Sequence, residues 1–157
     1  MTKLSKELLG LAGEYAVASE LCRRGLYSQL TLGNHKRTDI LIETDTRMLR
    51  VQVKATQGGE WPAISGLHRD DDFLVLVDFT KKAEGDPLDF FVLNFADWKA
   101  LVAAEQQKHP TLEVNEHFEI KYGDGWRGLN LRPKHVAGHK DQWQKLTSKV
   151  VPEQTEA

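Results

Sequence analysis

A predicted β-hairpin between residues 39 and 55 restricts the folds that this chain can adopt. Residues 39–43 are an acid followed by an apolar run, residues 44–47 have the composition of a turn, and residues 48–55 alternate between apolar and polar side chains. This alternation predicts that Arg50, Gln52 and Lys54 form an outward polar row. The segment Leu4 to Arg24 precedes the hairpin, and its periodicity predicts a helix that Ser5 caps and Gly25 stops. This order predicts an α/β fold with a mixed sheet.

The predicted helix carries an apolar stripe that we expect to face the core. Its members recur every three or four residues and are Leu4, Leu8, Leu11, Tyr15, Ala18 and Cys22. Cys22 is the single cysteine of the chain, so it is expected to be a small core residue. A lone cysteine excludes an internal disulfide and fits a reduced, cytoplasmic location.

The rest of the chain predicts further strands and helices within one domain, residues 1–150, followed by a frayed tail, residues 151–157. The expected elements are strands at 26–32, 73–79 and 90–93, a long loop at 56–72, a helix from Asn94 or Asp97 to Lys108, and a short helix at 141–150. Trp98 and Trp143 are expected in the core, whereas Trp61 and Trp126 lie in turn-rich regions and could stack on bases.

Composition excludes some classes of protein. The chain has 157 residues and a formal net charge of −2, which argues against a purely nucleic-acid-binding clamp but not against an enzyme. The sequence contains no apolar run long enough to span a membrane.

The predicted hairpin brings three polar side chains together. With its turn at 44–47, Asp39 lies opposite residues 52–54, near Gln52 and Lys54. Hydrolysis of a phosphodiester needs a hard cation. Mg²⁺ or Mn²⁺ would be coordinated by side-chain oxygens of Asp39 and Gln52 and by the backbone carbonyl of Val53. Lys54 would orient the attacking water or stabilise developing negative charge.

Glu14 is a fourth candidate on the predicted helix. It flanks the apolar stripe, so we expect it at the boundary between helix and sheet. Gly10, Gly13 and Ala18 lack bulk and would let the helix approach the sheet closely. An acid on that boundary needs a partner, which Lys54 or a second cation could supply.

These residues resemble the PD-(D/E)xK, or restriction-endonuclease-like, nuclease superfamily. The matching stretches are 13–18, 38–41 and 51–54, with Thr38 in place of the motif's proline and Gln52 in place of its second acid. They are similar to Holliday-junction resolvases with a helical acid and to homing endonucleases with glutamine at that position. The resemblance implies a core of αβββαβ order and a metal-dependent DNA endonuclease that uses a metal-activated water. It implies Asp39 and Gln52 as metal ligands, Lys54 as the catalytic lysine and Glu14 as the helical acid.

The expected substrate is DNA, duplex or branched, and a homodimer would match its two strands. Five residues are candidates for nucleic-acid contacts: His35, Lys36 and Arg37 before Asp39, and Gln57 and Arg69 after Lys54.

Plainer interpretations stay open for these residues. The segment 35–37 could be a solvated loop, Arg69 could pair with one of the acids at 70–72, and Asp39 with Lys54 could form a simple ion pair. The main alternative is a non-catalytic nucleic-acid-binding or interaction module that retains the nuclease fold.

Overall fold

The computed structural model describes residues 2–31 and 38–150. Its helices and strands, in chain order, are α1 (Lys6–Arg23), β1 (Ser28–Leu30), β2 (Ile40–Glu43), β3 (Met48–Thr56), β4 (Trp61–Ile64), β5 (Asp72–Asp78), β6 (Asp89–Leu93), α2 (Phe95–Lys108), β7 (Glu113–Val114), β8 (Ile120–Lys121), β9 (Leu129–Leu131) and α3 (Gln144–Thr147). The predicted tail, 151–157, lies outside the described residues. No helix in the described ranges is long and apolar enough to cross a membrane.

Five strands form one mixed sheet in the order β1-β2-β3-β5-β6. Strands β3 and β5 are parallel, and the other neighbours in this sheet are antiparallel. Ile40 pairs with Val51, which is the register that the predicted hairpin requires. The predicted fold class, a mixed sheet flanked by helices, is confirmed.

The connection between the parallel strands differs from the predicted αβββαβ order. It contains the short strand β4, paired with β9, where that order places a helix and where the sequence predicted only a loop. Gly58, Gly59 and Pro62 disfavour a helix there. Trp61 anchors the segment, because its side chain is buried and its Nε1 donates a hydrogen bond to the carbonyl of Val77 at 3.2 Å. Base stacking by Trp61 is therefore excluded, while Trp126 is exposed.

Apolar side chains cover both faces of the sheet. One face packs against α1 and α3 through Val17, Leu21 and Leu146. The other face packs against α2 through Trp98 and Val102, together with residues of β4, β8 and β9. Strand β5 contributes apolar side chains to both layers, whereas the buried apolar side chains of β3 all belong to the layer with α1 and α3.

Helix α1 buries a different face from the one that its stripe predicted. Leu8, Leu11 and Tyr15 are 44–58% exposed, and Cys22 is also exposed. The buried residues are Gly13, Val17 and Leu21, with Leu9, Ala12, Ala16 and Ala18 partly buried beside them. The helix is apolar on more than one face, and the periodicity of the sequence predicted burial of the face with the larger side chains. The sheet instead accepts the face with small residues, which allows a closer approach.

The predicted helix ends are largely confirmed. Ser5 caps α1 by accepting a hydrogen bond from the Leu8 amide at 3.2 Å, and Gly25 follows its end with a φ of 83°. Asn94 and Asp97 cap α2 reciprocally. The last predicted helix is shorter than expected, because only Gln144–Thr147 is α-helical, followed by a 3-10 turn at Ser148–Val150.

Candidate active site

The hairpin places Asp39 beside the middle of β3, as its register predicted. The Asp39 amide donates a hydrogen bond to the Val51 carbonyl at 3.0 Å, which extends the antiparallel pairing by one step. The Asp39 carboxylate accepts a hydrogen bond from the Val53 amide at 2.7 Å. The side chain of Asp39 is therefore fixed against β3 at the level of residues 52 and 53.

Gln52 is buried, although the sequence predicted that it would belong to an outward polar row with Arg50 and Lys54. Its exposed fraction is 4%, because β3 lies between β2 and β5 and both faces of the sheet are covered. Its Oε1 has no hydrogen-bond partner among the described residues. A buried carbonyl oxygen without a partner is costly, so it needs a ligand or another explanation. Lys54, two residues further, is exposed.

Glu14 follows the point where α1 comes closest to the sheet. A Cβ built on Gly13 would lie 2.9 Å from the Cβ of Ala55 and 3.6 Å from Cγ1 of Val53. Gly13 is thus required for this contact, as predicted, whereas Gly10 has open space around it. The close contact brings the backbone of α1 onto β3 and holds Glu14 at the edge of the site.

The charges of Glu14, Asp39 and Lys54 influence one another. Partial burial raises the pKa of Glu14, the Asp39 carboxylate raises it further, and the Lys54 ammonium acts in the opposite direction. Burial also raises the pKa of Asp39, although the hydrogen bond from Val53 and the charge of Lys54 oppose this shift. Two partly buried carboxylates therefore share the field of one lysine, and a cation between them would relieve their repulsion.

The oxygen atoms of this site suit a hard divalent cation, and few of them carry a negative charge. Among the described residues, no group of three or more His, Cys, Asp or Glu side chains is placed to hold a metal ion. The available oxygens are the carboxylates of Asp39 and Glu14, the buried Oε1 of Gln52 and the carbonyl of Val53, whose amide already bonds Asp39. Oxygen ligands with few carboxylates suit Mg²⁺, which keeps several waters.

The predicted nucleic-acid contacts have different surroundings. His35, Lys36 and Arg37 lie outside the described residues. Gln57 holds the N-terminal segment, since its Oε1 accepts a hydrogen bond from the Leu4 amide at 2.9 Å. Arg69 pairs with Asp72 at 3.5 Å, as the plainer interpretation expected.

Sequence reasoning missed Thr31 as a residue that positions the site. The Thr31 hydroxyl donates a hydrogen bond to the Thr38 carbonyl at 2.6 Å, and its amide donates to the Asp39 carbonyl at 3.0 Å. These bonds fix the backbone on both sides of the catalytic aspartate candidate. The pairing of β1 with β2 was the signal that could have revealed Thr31, but strand Leu26–Leu32 was predicted without a partner.

The mixed sheet and its covering helices have the restriction-endonuclease-like fold that the sequence resemblance implied. The structure is similar to that of I-Ssp6803I, a bacterial homing endonuclease. The alignment covers 93% of this chain and 95% of that protein, at 16% sequence identity and a TM-score of 0.57.

A Holliday junction resolvase from an archaeal hyperthermophile, Archaeoglobus fulgidus Hjc, aligns with 82% of this chain and 95% of its own, at 16% identity and a TM-score of 0.37. No family model matches the sequence. No curated protein matches it either.

Proposed function

We propose that this chain is a divalent-metal-dependent endonuclease that hydrolyses phosphodiester bonds of DNA. The observation that carries the proposal is the buried Oε1 of Gln52, which has no hydrogen-bond partner in the part of the chain that the structure describes and lies one strand away from the fixed carboxylate of Asp39. A structural ion pair between Asp39 and Lys54 would leave this oxygen unexplained. The fold shared with a homing endonuclease supports the same conclusion.

The residues divide the chemistry among themselves. Asp39, Gln52 and the Val53 carbonyl would hold Mg²⁺ or Mn²⁺, and a bound cation would neutralise phosphate charge and acidify water. Lys54 is exposed at the end of the hairpin, so its ammonium can meet a phosphate and stabilise the charge that develops during attack. Glu14 has a raised pKa, which suits it to accept a proton from water at its carboxylate.

DNA is the proposed substrate because the sequence resembles DNA endonucleases and the structure is similar to that of a bacterial homing endonuclease. Duplex and branched forms are both candidates. One site per chain cuts one strand at a time, so a homodimer would serve a double-strand cut. The homodimer and the cytoplasmic location stay predictions.

A nicking assay on supercoiled plasmid in Mg²⁺, combined with calorimetric titration of Mg²⁺ and Mn²⁺, tests the proposal. The variant Asp39→Asn keeps an oxygen that can accept the Val53 hydrogen bond but removes the charge, so the fold should survive. We expect loss of metal binding and a fall in nicking of at least about 100-fold. Lys54→Met should retain metal binding and lose nicking by a similar factor, roughly the worth of one electrostatic group.

Glu20→Gln is the matched control for Glu14→Gln. Both acids lie on α1, but Glu20 pairs with Arg23 and Arg24 on the surface. Nicking should fall in Glu14→Gln and stay unchanged in Glu20→Gln. If the wild-type chain neither binds metal nor nicks duplex, branched or single-stranded DNA, the proposal is wrong and a non-catalytic module with this fold takes its place.

A further inference from the structure

A second polar feature lies beyond the carboxyl end of the parallel strand pair. A cavity of about 590 Å³ opens there, lined by Lys3, Lys81 and Lys82 together with Gln57, Gly58 and Phe79. Of the residues that the structure describes, none with an acidic side chain lines the cavity, although the chain as a whole has a net charge of −2. Three lysines around one opening therefore create a local positive field that the overall composition hides.

Hydrogen bonds fix the strand ends and the turn that form this cavity. The Phe79 amide donates to the Thr56 carbonyl at 2.8 Å, which joins the ends of β3 and β5 beyond their last register pair. The Asp78 carboxylate accepts a hydrogen bond from the Thr80 amide at 2.8 Å, and the Lys82 amide bonds the Phe79 carbonyl. The turn that carries two of the lysines is thereby held on the sheet.

Lys3 reaches the cavity through a separate tether. Gln57 accepts the Leu4 amide hydrogen bond at 2.9 Å, so the residue next to Lys3 is attached to the end of β3. This tether is long-range in sequence and brings a lysine from the N-terminal segment to lysines of the turn after β5. The tertiary structure therefore brings together positive charges that are distant in the sequence.

Two of the lysines carry no compensating charge. Within residues 2–31 and 38–150, Lys3 and Lys81 are exposed and form no ion pair, while Lys82 pairs with Asp89 at 3.1 Å. Asp89 is itself shared with Lys140 at 3.1 Å, so it does not compensate Lys82 alone. The next turn carries Glu84 and Asp86, neither of which lines the cavity, and the Asp86 carboxylate accepts a hydrogen bond from the Ala83 amide at 2.7 Å.

The backbone at Lys81 adds an independent observation. Its φ is 57°, in the left-handed region that residues other than Gly, Asn and Asp adopt uncommonly. Within the described residues, no carboxylate forms an ion pair with Lys81 that would explain this backbone conformation. Such outliers cluster at binding and catalytic sites, where the bound partner makes use of the imposed direction.

We propose that this cavity binds backbone phosphates of the DNA substrate outside the cleaved position. The inference rests on the proposed function and names a contact surface that the catalytic residues do not include. Gln57 follows Lys54 by three residues, just past the end of β3, so at about 3.3 Å per residue the cavity begins within about 10 Å of the catalytic lysine candidate. Phosphates of one DNA strand are spaced about 3.4 Å along the helix axis, so the separation spans roughly three nucleotides.

The test is the salt dependence of duplex binding, measured by fluorescence anisotropy in EDTA so that no cleavage occurs. Each lysine that neutralises a phosphate contributes about 0.9 to the slope of log K against log salt concentration. The double variant Lys3→Gln/Lys81→Gln should reduce the magnitude of this negative slope by about 2 and weaken binding. The control Lys108→Gln/Lys134→Gln removes two exposed lysines from α2 and from the 3-10 turn Pro133–His135, and should leave the slope unchanged.

The outcomes separate this inference from the proposed function. If the wild type nicks plasmid but the cavity variant keeps its slope, or if the control lowers the slope equally, the cavity does not bind the substrate and the nuclease proposal stands. Tight binding of inorganic phosphate that is lost in the cavity variant, with an unchanged DNA slope, would assign the site to a free anion and overturn the inference. A wild type that neither binds nor nicks DNA removes both proposals.

Discussion

Replacing Gln52 by methionine separates the stability of the site from its chemistry. Gln52 is 4% exposed and its Oε1 has no partner among the described residues, so the amide contributes an unsatisfied polar group to the core. Methionine has a similar length and volume, so Gln52→Met should leave no cavity and force no repacking. The substitution therefore removes one proposed metal ligand and, at the same time, one unsatisfied buried polar group.

The expected magnitude follows from this burial. An unsatisfied buried carbonyl costs about 1–3 kcal/mol, so the metal-free variant should be more stable than the wild type by about 1–2 kcal/mol. For a chain of this size, each kcal/mol corresponds to about 2–4 °C, which gives a rise in Tm of roughly 2–8 °C. A ligand at 100 times its Kd stabilises by about 2.7 kcal/mol, and the variant should lose most of this gain. The order of stability of the two proteins should therefore reverse when metal is added.

Thermal unfolding of both proteins, in EDTA and in excess Mn²⁺, measures this reversal, and urea unfolding gives the free energies. A variant that is less stable than the wild type in EDTA by more than about 1 kcal/mol would refute the reasoning, because the amide would then have a structural partner. A variant that keeps the full metal-induced rise in Tm would also refute it, because Gln52 would not be a ligand.

Three further predictions concern the support of the fold. Gly66→Ala should destabilise by about 3 kcal/mol or more in urea unfolding, because its Cβ would lie 1.9 Å from Cε2 of Trp98 and its φ is 88°. Lys145→Met should cost about 2 kcal/mol by the same measurement, since Lys145 bonds Asp97 at 2.8 Å and His139 at 3.0 Å in a partly buried network. Burial and the charge of Lys145 lower the pKa of His139. The contribution of neutral His139 to the free energy of unfolding is therefore present above the ordinary pKa of 6.5 and is lost as the pH falls through the lowered pKa. Urea unfolding at pH 7.5 and pH 5 should accordingly show a smaller loss of stability in His139→Gln than in the wild type.

The hairpin could be predicted because its information is local. The alternation of β3, the turn at 44–47 and the acid before β2 fix the register of Asp39 within a step. The small residue Gly13 and the neighbouring Glu14 likewise predicted a close contact between helix and sheet, which the structure contains. The candidate site therefore came mostly from features within 40 residues of one another.

Other features could not be predicted because they depend on distant partners. The exposure of Gln52 was predicted wrongly, since the sequence does not reveal that β3 lies inside the sheet, paired with β2 on one side and with β5 on the other. The strand β4 was missed because its partner β9 lies more than 60 residues further along the chain. The buried face of α1 was missed for a related reason, because the sheet selects small residues such as Gly13 over the larger Leu11.

The contact between Gly13 and Ala55 constrains how this sequence can change over evolutionary time. The two positions share a fixed volume, since any Cβ at position 13 would already be 2.9 Å from the Cβ of Ala55. Drift to a larger residue at either position would lift α1 from β3 and carry Glu14 away from Asp39. Among divergent relatives, positions 13 and 55 should therefore change together, so that a larger residue at one is accompanied by glycine at the other. The sizes of these two uncharged residues would then mark the relatives that keep the helical acid in place.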